Sequence, residues 1–313
     1  MYLRKRNLLK HFTVLLLASA LIASAQTKPA FKFKKERPKV GASAAMLWQE
    51  PTDIKTRDLF YGIGGPEHQP KGGLTFVEEK MNGVNPKFDA RDEEGTLWGV
   101  KFGIEAQPET AATRLIWAVG YFTNEDYYIA ELPAKGLPMS RGQDLISHGK
   151  IEKARLKRHN KGEHKIGYWS WDKNPFAGTK ELDGLKIMME LICNTDLKSD
   201  HRVVYDVHGT EQRYMITDVG ASFGKAGKTF GRTKGKLSDY QELPLIRNAG
   251  PEYVDFWYFK HIPREHAKWI GGYLAQLSDA QISDAFRAAG FTQEEIGGFT
   301  AKVRDKINEL NQL

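Results

Sequence analysis

The sequence predicts an α+β protein in two parts, a small antiparallel sheet with one helix and then a mainly helical unit. Three observations carry this: short alternating runs set off by turn residues, one helix-spaced apolar stripe behind them, and two capping boxes near the C-terminus. Leu74-Thr75-Phe76-Val77 opens a strand, and Asn82-Gly83 marks a turn. Lys87-Phe88-Asp89-Ala90-Arg91 alternates, Glu94-Gly95 turns again, and Leu97-Trp98-Gly99-Val100-Lys101-Phe102 closes a three-stranded meander. In the helix after it, Pro108 suits the first turn and Glu109 the positive end of the dipole. Ala112, Leu115, Ile116 and Val119 make its apolar stripe. Tyr127 to Leu132 reads as another strand.

In the second part, Leu182, Leu185, Met189 and Ile192 share one helix face that ends at Asn194. Arg202–Val207 and Arg213–Thr217 form a hairpin about a His208-Gly209 turn, and residues 221–251, rich in Gly, Lys and Arg, read as a loop. Three capped helices end the chain. Ser278 with Gln281 and Thr292 with Glu295 are capping boxes, and Gly290 stops the helix between them. Trp169, Trp171 and Phe176 read as core packing, with a binding cleft as the alternative.

The first 25 of the 313 residues read as a signal peptide. Arg4, Lys5, Arg6 and Lys10 lead, an apolar run from Phe12 to Ile22 comes next, and Ala23-Ser24-Ala25 suits a signal peptidase. The apolar run is short for a membrane span, and no later stretch is long enough, so the mature chain is expected to be exported to the periplasm or beyond. Residues 26–44 carry Lys28, Lys32, Lys34, Lys35, Arg37 and Lys39 between prolines and read as a disordered basic leader. Without the four cations of the signal, the net charge falls from +7 to near +3, which argues against a nucleic-acid partner. Cys193 is the single cysteine, so no internal disulfide forms, and its apolar helical setting reads as packing.

Four residues stand in an order that phosphoryl transfer requires. Lys101 on a strand can neutralise phosphate oxygens and Glu109 on the next helix can hold that lysine, with Glu105 as its rival. Asp196 after a helix can orient an attacking hydroxyl, and Asp218 after the hairpin can bind a metal that bridges phosphates. Asp196-Leu197-Lys198-Ser199-Asp200-His201 resembles the protein-kinase catalytic loop, and Asp218-Val219-Gly220 resembles the kinase Asp-Phe-Gly segment. The longer run to Phe223-Gly224-Lys225 looks like the atypical kinases of the secretory pathway. Asn85-Pro86-Lys87 before the meander, Val100-Lys101-Phe102 and Glu109 are similar to the N-lobes of HipA-type and phosphoinositide kinases.

The resemblance implies a two-lobed kinase-like fold, with an N-lobe over 45–126 and a C-lobe over 127–313. It implies ATP or another nucleotide with manganese or magnesium as cofactor, and a protein or small-molecule acceptor as partner. Carried over by position, Lys101, Glu109 and the Gly83 turn would bind the nucleotide. Asp196 and Lys198 would be catalytic, Asp218 with His201 would hold the metal, and Tyr128 to Glu131 would form the adenine-binding hinge. His201 stands where most kinases place a metal-binding asparagine, which favours manganese over magnesium. Two alternatives remain open: a catalytically silent kinase-like binding domain, and a hydrolase with Asp196, Asp200, His201 and His208 as a metal cluster.

Overall fold

The computed structural model describes residues 44–194, 196–225 and 233–313. The signal segment and all of the basic leader except Ala44 lie outside the described residues. A short strand β1 (Ala44–Met46) comes first and belongs to the second of the two larger sheets. The first sheet begins with β2 (Thr75–Glu79), β3 (Lys87–Arg91) and β4 (Leu97–Phe102), the expected meander. Helix α1 (Ala106–Ala118) is next, then β5 (Asp126–Pro133), β6 (Ile146–Ser147) and β7 (Lys150–Arg158).

The sheet is antiparallel in the order β2-β3-β4-β7-β5, with β6 paired to β7. Because strand residues alternate faces, Phe88, Ala90, Trp98, Val100, Phe102, Ala154, Leu156 and Tyr127 share one side and form a core of their own. The first unit therefore runs to Arg158, and the expected division after residue 126 falls at the start of β5, inside this sheet. Tyr128 to Glu131 is the interior of β5, paired with β7, and is not a connecting hinge.

Past Arg158 the chain forms β8 (Glu163–Tyr168), α2 (Lys180–Leu191), β9 (Arg202–Val207) and β10 (Glu211–Ile216). These strands make a second sheet in the order β1-β10-β9-β8, in which β1 runs parallel to β10. The loop expected over 221–251 contains helix α3 (Leu237–Gln241) and a two-residue strand β11 (Asn248–Ala249), with 226–232 outside the described residues. Strands β12 (Tyr253–Asp255) and β13 (Ile262–Pro263) lead to α4 (Arg264–Leu274), α5 (Asp279–Ala288) and α6 (Gln293–Asn311).

Both capping boxes form, at Ser278 and at Thr292, each fixing one helix start by about 1 kcal/mol. Helix α4 differs from expectation: it starts directly after Pro263 with no side-chain cap. The helices enclose a second core, in which Trp169 is buried with Trp171 and Phe176 packed against it, so these rings do serve packing. Cys193 is buried there too. Helix α1 bridges the units, since Ala111, Leu115 and Ile116 join this second core while its first turn faces β4 and β7. The chain is thus α+β and two-lobed, in the order expected of a kinase-like protein. No described helix is long and apolar enough to cross a membrane.

Candidate active site

Register places three cations side by side on the face of the first sheet opposite its apolar core. Lys87 of β3 pairs with Lys101 of β4, and Lys101 pairs with Arg155 of β7. Directly opposite residues in antiparallel strands lie about 5 Å apart at Cβ, so such a row needs anions. The N-cap and first turn of α1 supply them. Lys101 Nζ reaches Glu105 Oε2 at 2.6 Å and Glu109 Oε2 at 3.0 Å, while Glu109 Oε1 accepts from Arg155 Nη2 at 2.9 Å. Glu109 and its rival Glu105 therefore both hold Lys101. Asn85 Nδ2 donates to Glu105 at 2.6 Å, and Lys234 also bonds that carboxylate.

The third carboxylate at the Lys101 ammonium is Asp218, with Oδ1 at 2.5 Å. Three carboxylates thus surround the ammonium, two of them hydrogen-bonded to it and Glu105 paired with it by charge. Burial would lower the Lys101 pKa, but Glu109, Asp218 and Glu105 together hold it above the lysine range. Asp126 at the start of β5 ends the network. Burial pushes its carboxyl up to about 6, opposed by Arg155, whose Nη1 lies 3.7 Å from Oδ1.

Asp218 is aimed by the residues just after it in the chain. Val219 and Phe223 are both fully buried, and the Phe223 ring sits 5.0 Å from Phe286 and 5.8 Å from Phe299. Asp218 itself takes a left-handed backbone conformation, φ 56°, which aspartate tolerates better than most residues. Gly220 is required by close approach: a Cβ there would lie 2.7 Å from the Glu105 Cβ. Burial alone would raise the Asp218 carboxyl, but Lys101, with His201 and Arg155 behind it, holds it well below the usual carboxylate range.

His201 links Asp218 to the segment of Asp196. Its Nδ1 lies 3.1 Å from the Asp196 carbonyl oxygen and its Nε2 lies 3.2 Å from Asp218 Oδ2. A carbonyl only accepts, so Nδ1 carries a hydrogen and Nε2 is the nitrogen turned to the carboxylate. The Asp196 amide is held by the Asn194 side chain at 3.0 Å, and its carboxylate takes Lys198 at 2.8 Å. Arg202 pins the loop through the Leu197 carbonyl at 2.6 Å. The hydrolase cluster does not assemble, because His208 sits at the far turn of the β9–β10 hairpin, about 20 Å of strand from His201.

Among the described residues one group has metal-ligand spacing, Glu105, Glu109 and Asp218, and Lys101 already fills its centre. For a divalent ion the fitting pair is Asp218 Oδ2 with His201 Nε2, one oxygen and one nitrogen at 3.2 Å. Gly83 takes φ 76° in the β2–β3 turn, and Arg141 fixes that turn through the Gly83 carbonyl at 2.8 Å. Sequence reasoning missed Arg155 and Lys234 and gave Lys87 no role. Only register brings Lys87 and Arg155 beside Lys101. A cavity of about 540 Å³ lies elsewhere, between Trp117, Tyr121, Arg158 and Tyr205, and none of the site residues lines it.

No protein-family profile matches the chain, and no curated protein matches it in sequence. Among solved structures it is similar to the Helicobacter pylori proinflammatory kinase CtkA. The TM-score is 0.48 and the identity 11%, over 78% of this chain and 98% of that one.

Proposed function

We propose that this protein is a kinase-like phosphotransferase, exported after loss of its first 25 residues, that moves phosphate from a nucleotide to a hydroxyl acceptor. The observation that supports it is the convergence at Lys101, where a strand lysine, the N-cap and first-turn glutamates of the next helix and an aspartate 117 residues later meet at hydrogen-bond distance. In this reading the nucleotide phosphates come between Lys101 and Asp218, exchanging an ion pair for cation–phosphate and metal–carboxylate contacts. Asp218 and His201 hold the divalent ion, which supplies neutralisation of phosphate charge. Asp196 accepts the hydroxyl proton, and Lys198 steadies the transferred group.

Titration calorimetry with ATP and manganese or magnesium, beside a radiolabelled transfer assay, tests the reading. Binding should favour manganese, since His201 offers nitrogen, and His201→Asn should shift the preference towards magnesium. Asp218→Ala should abolish the metal-dependent part. Asp196→Ala should keep binding and remove transfer. Absence of nucleotide binding by the folded protein with either metal would overturn the proposal.

A second reading, a silent binding domain, draws on one feature: both Asp218 oxygens already have partners, Lys101 and His201. Metal-dependent ATP binding without transfer to any acceptor would favour it.

A further inference from the structure

The cations of the row Lys87–Lys101–Arg155 are not equivalent. Lys101 has three carboxylates within 3.0 Å of its ammonium, and its side chain is 6% exposed. Arg155 is buried against Glu109, Asp126 and the Gly99 carbonyl. Lys87 is half-buried, and among the described residues no carboxylate oxygen lies within 4.0 Å of its ammonium. A Cβ built on Gly83 would meet Lys87 Nζ at 3.2 Å, so the ammonium lies directly under the β2–β3 turn.

The geometry points to Lys87 as a second cation that binds the phosphates of the nucleotide, beside Lys101, whose remaining contacts order Glu105 and Glu109. This rests on the phosphotransferase reading. An incoming anion reaches Lys101 only by displacing a carboxylate. On Lys87 it finds up to three donors, on a flexible four-carbon stem. It also relieves crowding: Asp218 attracts the Lys87 ammonium, while Lys101 and Arg155 repel it. A polyphosphate beneath the turn would neutralise the cation of the row with no carboxylate within 4.0 Å among the described residues.

The test compares wild type, Lys87→Ala and Lys87→Arg in calorimetry with ATP, tripolyphosphate and adenosine, each with manganese. Lys87→Ala should weaken ATP and tripolyphosphate about tenfold or more and leave adenosine within about twofold, while Lys87→Arg keeps most of the affinity. A purely structural lysine would change adenosine and ATP alike, and an unchanged melting temperature of Lys87→Ala separates binding from folding. Undiminished ATP affinity in Lys87→Ala, or an equal loss for adenosine, overturns the assignment with the phosphotransferase reading intact. Failure of wild type to bind any of the three overturns both.

Discussion

Lys101 Nζ lies 2.5 Å from Asp218 Oδ1, across 117 residues of chain, and this contact joins the first sheet to the segment leaving β10. Breaking it from the lysine side leaves Glu105, Glu109 and Asp218 with ligand atoms within 4.8 Å of one another and no cation at their centre. Removing one partner of a buried ion network costs about 3–5 kcal/mol. Lys101→Met should lose stability of that order in urea unfolding, and adding Glu109→Gln should recover part of it. A Lys101→Met protein as stable as wild type would show that the network is not a unit.

Gly220→Ala should push Glu105 away from Lys101, since the new Cβ would meet Glu105 Cβ at 2.7 Å. The cost should be about 1–3 kcal/mol, as for other overpacked sites. Gly272→Ala in α4 is the control, with nothing within 4 Å of its Cβ. It should stabilise by about 0.5–1 kcal/mol, because alanine suits a helix better than glycine. Chemical denaturation of the two variants side by side decides.

Lys306 of α6 is 1% exposed and lies 4.0 Å over the Tyr240 ring. Burial lowers its pKa to about 8, against 10.5 when free, despite Cys193, Glu309 and Glu190 favouring the charge. Between those values the unfolded chain binds the extra proton, so stability should rise with pH through this window. Below about pH 8 the full cost of the buried charge remains. Lys306→Met should therefore gain up to about 3 kcal/mol at pH 7, less what the cation–π contact contributes, and lose the rise. Melting curves from pH 7 to 10.5 for the two proteins, taken as a difference, would show no converging trend if the ammonium is comfortably housed.

Export predicts a mature N-terminus at or near Gln26, after Ala23-Ser24-Ala25. Mass spectrometry of protein from the envelope or medium reads this directly. Recovery of only the intact Met1 form from the cytoplasm would remove the localisation claim.

Much of the scaffold was legible because its signals are local. β3 and β4 begin and end where alternation and turn residues put them, and both capping boxes announce their helices within four residues. β7 gave no such signal. Lys153 takes φ 60°, which interrupts the strand alternation, so buried Ile151 and Ala154 stand three apart as they would on a helix. Without β7 the boundary between the units falls too early, and Arg155 goes unnoticed. Lys101, Glu109 and Asp218 were readable as types in order, and the structure brings them together. That Glu105 shares Lys101, and that Lys87 is the cation of the three in the row with no carboxylate within 4.0 Å among the described residues, depends on register and side-chain reach, which no linear motif encodes.

Phe223, five residues beyond Asp218, rests its ring on Phe286 and Phe299 of the C-terminal helices. A random mutagenesis screen for loss of nucleotide binding should therefore return hits at Phe286 and Phe299 that touch no ligand. Such hits would look allosteric, yet they would be mechanical: shrinking either ring loosens the seat of Phe223 and lets Asp218 wander from Lys101. Suppressors should appear as larger side chains refilling the same space.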